Sequence, residues 1–70
     1  MDKARKLIAE ALDIPETEIL DDASLLTLGA WDSMGHMRIV LAIEEVTGTL
    51  LDPDAVADLF SIEDVSKLLP

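Results

Sequence analysis

Apolar side chains recur at Ala4, Leu7, Ile8, Ala11 and Leu12, the i, i+3, i+4, i+7, i+8 spacing of one helix face. Asp2 is placed to cap this stretch and Pro15 forbids its continuation, so the spacing predicts a first helix over 3–13. A second run, from Met34 to Thr47, contains no proline and stops at Gly48, the residue best suited to a left-handed helix end. Asp32 and Ser33 are both able to cap its start, and the predicted helix covers 33–47. Its apolar positions 34, 37, 39, 40, 41, 43 and 46 take up most of the circumference and leave a narrow charged stripe at Arg38 and Glu45. Such a helix is expected at the centre of the fold, touching neighbours on several sides. Gly35 falls in its first turn, where glycine costs little.

Asp52-Pro53 is a cap followed by proline at the first helical position, and it opens a short helix to about Leu59. Ser61 and Asp64 frame a capping box, with Asp in place of Glu, ahead of a last helix over 62–69. Between the first two helices, residues 14–31 lack a period. They hold Pro15, Asp21-Asp22, Ser24 and Gly29, with apolar anchors at Ile14, Ile19, Leu20, Leu25 and Leu28. Structureless loops of this length are uncommon in small domains and are usually functional. The anchors predict a loop packed down on the helices, with one turn around Ser24–Leu28. The expected fold is all-α, a bundle of three main helices and one short helix in one domain over 1–70.

Composition narrows the function. Half of the 70 residues are hydrophobic, with one Trp, one Phe and no Tyr, a mixture that suits packed helices better than a sheet. Five basic residues against fifteen acidic ones give a formal net charge of −10, which repels nucleic acid and anionic membranes and attracts basic protein surfaces. No cysteine is present and His36 is the only histidine, which removes disulfides, thiolate metal sites and histidine clusters. Asp52-x-Asp54 hints at calcium, but Ala57 stands where the EF-hand loop needs glycine, so no metal is expected. No apolar run is long enough to span a membrane and no basic leader is seen, so a soluble, cytoplasmic monomer is expected.

Catalytic constellations are missing as well. The chain has no glycine-rich phosphate loop and no His-Glu-x-x-His. Asp32, Ser33 and His36 are close in sequence, but on one helix they point in different directions, which does not make a triad. The informative feature is Ser33 itself, a hydroxyl at the head of the apolar helix and at the end of the long loop. Unpaired backbone N–H groups and the helix dipole favour a phosphate ester there. Simple capping of the helix by Ser33 is the competing explanation.

The run Leu28-Gly29-Ala30-Trp31-Asp32-Ser33-Met34, followed by a helix with Glu44-Glu45 near its end, resembles the acyl carrier protein family. An Asp-Ser-Leu or Asp-Ser-Met tripeptide opens the second helix of that family. The resemblance extends over nearly the whole chain: the first helix, the acidic loop, the Gly48 stop, the short third helix and a last helix entered through Phe60-Ser61-Ile62. It implies a carrier and not a catalyst. A separate phosphopantetheinyl transferase would move 4′-phosphopantetheine from coenzyme A onto Ser33, and the arm's thiol would hold an acyl or aminoacyl group as a thioester. Asp32 would support the attachment, with capping as the alternative. Loading and transferring enzymes would present basic patches to Trp31, Met34, Arg38 and Glu45.

Trp31, Met34, His36 and Arg38 depart from the pattern usual in fatty-acid carriers. They favour a dedicated stand-alone carrier for a specialised acyl, aminoacyl or surface-polymer pathway. Trp31 itself has two readings, a loop anchor or a surface ring beside the arm. Met34 is expected in partner docking, Met37 in the core, and His36 as a plain surface histidine rather than a pH-sensitive contact. The rival function is an acidic helical interaction module that is never modified.

Overall fold

Each predicted helix forms, with boundaries shifted by a residue or less. In the computed structural model, which describes residues 1–70, α1 spans Asp2–Leu12, α2 Ser33–Thr47, α3 Pro53–Asp58 and α4 Ile62–Leu68, with a 3₁₀ turn at Glu16–Glu18. The architecture is a small all-α bundle, as expected. No helix is long and apolar enough to cross a membrane.

Local chemistry explains the ends. Asp13 adopts the left-handed conformation (φ 56°, ψ 49°) that stops α1 before Pro15, and Gly48 does the same for α2 at φ 69°. Asp52 accepts the Ala55 N–H at the head of α3. The Ser61–Asp64 capping box closes in both directions at the head of α4. Asp2 does not cap α1. The cap position is Met1, and Asp2 lies inside the first turn, paired with Arg5 at 3.2 Å.

The expected centrality of α2 is corrected. The hub is α1, which packs against α2, α4 and the 3₁₀ turn through Ala4, Leu7, Ile8, Ala9 and Leu12. On α2 only Gly35, Ile39, Val40 and Ile43 are buried. Met34, Met37, Leu41 and Val46 are each half exposed or more, because α1 covers a single face and nothing of comparable length covers the other. Met37 is therefore a surface residue and not a core one.

The long loop is fastened at several points. Arg5 Nε donates to the Ile19 carbonyl at 2.9 Å, and the same guanidinium pairs with Asp21. Thr27 and Leu28 N–H groups both donate to Ser24 O, forming the turn predicted there. Ser24 and Ser61 then meet in an isolated antiparallel bridge, with Leu25 N–H donating to Phe60 O at 2.9 Å and Ile62 N–H to Ala23 O at 3.0 Å. The buried anchors are Ile19, Ala23 and Trp31, whereas Leu20 and Leu25, expected to pack down, are exposed.

Candidate functional site

The site begins with a division of labour at the head of α2. Asp32 holds the extended backbone of a cap residue (φ −94°, ψ −168°), and its Oδ1 accepts the Gly35 N–H at 2.8 Å. The capping reading of Ser33 is thereby corrected. Ser33 is the first helical residue, exposed, and its Oγ makes no hydrogen bond to the protein. At that position the backbone N–H groups of Ser33 and Met34 have no partner within the helix, and the dipole of a 15-residue helix is positive there.

Gly35 allows this head to approach α1 and the loop. A Cβ built on it would lie 2.5 Å from Ala30 O and 2.7 Å from Leu12 Cδ2. On the loop side, Trp31 is only 2% exposed, so its ring is an anchor and not the surface contact foreseen for partners. Trp31 Nε1 donates to His36 Nδ1 at 3.0 Å, with the two ring planes inclined by 28° and their centroids 6.3 Å apart. His36 Nε2 lies 2.9 Å from the Val56 carbonyl oxygen of α3. The expectation of a plain surface histidine fails here: His36 is half-buried and joins loop, α2 and α3. Both imidazole nitrogens are engaged away from Ser33, and the Asp32 carboxylate is engaged with Gly35, so no catalytic triad is assembled.

Beside Ser33 opens a groove of about 960 Å³ with a largely apolar lining that includes Leu25, Met37, Leu51, Val56, Leu59 and Phe60. Ser33 and Asp32 also line it. The free hydroxyl, the positive helix end and this groove together fit a phosphodiester bearing a long, flexible arm.

The sequence of residues 2–69 matches the family described as phosphopantetheine attachment site. The chain belongs to this family. The acyl carrier proteins of Bradyrhizobium sp. (strain ORS 278) and Nitrobacter hamburgensis are each 30% identical over 69 residues, covering 97% of this chain and 86% of the relative. The acyl carrier protein of Rhodopseudomonas palustris (strain TIE-1) matches to the same extent. Membership supports a carrier role, with 4′-phosphopantetheine as the covalent group.

On this carrier, the other candidate residues fall in different places. Met34, Arg38 and Glu45 are exposed at spacings that put them along one stripe of α2 with Leu41, while Trp31 lies buried off that stripe. Arg38 has no ion-pair partner. Glu45 borders a separate depression of about 750 Å³ with Lys3, Lys6, Ala42 and Val46. Two residues that shape the site, Gly35 and His36, carry no warning in the hydrophobic pattern. The available signal for His36 was the nearby tryptophan, whose N–H needs an acceptor once the ring is buried.

Proposed function

We propose that this chain is a carrier whose Ser33 hydroxyl receives 4′-phosphopantetheine from coenzyme A through a separate transferase, and that the arm presents acyl or aminoacyl thioesters to other enzymes. One observation carries the site assignment: Asp32 takes over the capping role, which leaves Ser33 Oγ exposed and unbonded at the positive end of α2. Asp32 supports the attachment by fixing the first turn in which Ser33 sits. The exposed stripe of Met34, Arg38, Leu41 and Glu45 is the face offered to the transferase and to the enzymes that load and unload the arm. His36 and Arg38 favour a specialised pathway over general fatty-acid synthesis.

Intact mass measured after incubation with coenzyme A and a broad-specificity phosphopantetheinyl transferase tests this reading. The wild type is expected to gain one phosphopantetheine and Ser33→Ala none. An unchanged wild-type mass, with a control carrier modified in parallel, would replace the carrier by an unmodified interaction module. Modification that persists in Ser33→Ala would move the site elsewhere.

A further inference from the structure

His36 ties together three segments through one imidazole. An indole N–H only donates and a carbonyl oxygen only accepts. The Trp31 contact at 3.0 Å therefore needs an unprotonated Nδ1, and the Val56 contact at 2.9 Å needs a proton on Nε2. Both bonds coexist in a single state, the neutral imidazole with its proton on Nε2. A second proton, on Nδ1, would face the indole N–H donor to donor and remove that bond. Trp31 is 2% exposed, so its N–H would be left buried without an acceptor unless the ring moved. Trp31 stands two residues before Ser33, Val56 lies on α3, and both line the groove that also borders Ser33.

We propose that His36 is a positioning residue for the modification of Ser33: a proton-sensitive clamp that holds the Trp31 loop and α3 against the head of α2 when neutral and lets the loop go when protonated. The proposal rests on Ser33 as the attachment site. Charged groups on the elements packed here do not replace either bond. Asp32, on the imidazole's own helix, is held by Gly35 N–H, and Arg38 is exposed and unpaired. On α3, Asp52 is held by Ala55 N–H, while Asp54 and Asp58 are exposed, and no ion pair includes His36. Trp31 is the loop's contact with the ring. Release of the clamp loosens residues 29–31, so Ser33 is presented less often in the geometry a transferase accepts, and attachment slows.

The chain has one histidine and one tryptophan, so both can be followed without ambiguity. Nitrogen NMR of the unmodified protein is expected to show the Nε2–H tautomer at neutral pH, with the Trp31 indole N–H shift moving at the same midpoint as the imidazole. In parallel, attachment rates are measured with coenzyme A and a broad-specificity transferase for the wild type and His36→Asn. The asparagine oxygen replaces Nδ1 as an acceptor but does not titrate, and the ratio of the two rates cancels the transferase's own pH dependence. As pH falls through the imidazole midpoint, the Asn-to-wild-type ratio is expected to rise about five-fold, the worth of one ordinary hydrogen bond. An Nδ1–H tautomer, an indole signal indifferent to the imidazole titration, or a ratio flat with pH would each overturn the clamp. A wild type that takes no phosphopantetheine at any pH would instead overturn the carrier reading, and the two NMR signals would still decide the clamp.

Discussion

Gly35 lies directly against the carbonyl of Ala30, so that a methyl group on its α-carbon would come within 2.5 Å of that oxygen. The obstructing atom is backbone, and the second obstacle, Leu12 Cδ2 at 2.7 Å, belongs to the packed face of α1. Alanine is the better helix former by about 1 kcal/mol. The overpacking is expected to outweigh it, so Gly35→Ala should lower stability by about 1–3 kcal/mol. Thermal unfolding checks this; a raised melting temperature would show that α2 has room to move.

The two neighbours at the head of α2 should respond differently to truncation. Asp32→Ala removes the cap on Gly35 N–H and is expected to cost about 0.5–2 kcal/mol. Ser33→Ala removes an exposed hydroxyl with no partner and should stay within about 0.5 kcal/mol of wild type. Urea denaturation of both variants tests the pair, and the reverse order would return the capping role to Ser33.

Trp31→Ala should destabilise by about 3–5 kcal/mol, as expected for a buried aromatic ring. Trp31→Phe keeps most of the apolar volume but leaves His36 Nδ1 without its donor, and a smaller loss of about 1 kcal/mol is expected. A Trp31→Phe variant as stable as wild type in calorimetry would mean that the indole N–H contributes nothing.

Arg5 should not be replaceable by lysine. Its guanidinium donates to the Ile19 carbonyl through Nε while another nitrogen pairs with Asp21, a fork that an ammonium does not reproduce. Asp21 is largely exposed, so that ion pair is worth at most about 1 kcal/mol. Arg5→Lys is expected to cost more than Asp21→Asn, and the difference should survive added salt, because the carbonyl bond is not a screened ion pair. Unfolding curves at low and high salt provide the comparison.

Arg38 is exposed and unpaired on a chain with a net charge of −10. Arg38→Glu should leave stability within about 0.5 kcal/mol. It should also raise the attachment rate with a transferase that presents a basic docking patch, and the gain should shrink as salt is added. A rate unchanged at low salt would place the docking contact away from this stripe.

The limits of α2, the Asp52-Pro53 start of α3 and the Ser61–Asp64 box were legible because each depends on residues within a turn of one another. The Asp-Ser-Met tripeptide was legible as the head of α2 for the same reason. What the pattern did not disclose depends on partners distant in sequence. Met37 and Leu41 have the spacing of core residues, yet α1 covers only one face of α2 and leaves them outside. Leu20 and Leu25 are as apolar as Ile19, but it is Ile19, with Ala23 and Trp31, that falls where the loop turns inward. His36 looked like a surface residue because its two partners, Trp31 and Val56, reach it from a loop and from another helix.

The single antiparallel bridge between Ser24 and Ser61 has a consequence for how the native structure opens. It joins two segments separated by the whole of α2 and α3, and no further strand lies beside it. Its two backbone bonds, Leu25 N–H to Phe60 O and Ile62 N–H to Ala23 O, therefore lack the neighbouring turns that support each bond inside a helix. The bridge is expected to open before the helices in native-state fluctuations, so the amide hydrogens of Leu25 and Ile62 should exchange with solvent sooner than those of Ile39 and Ile43.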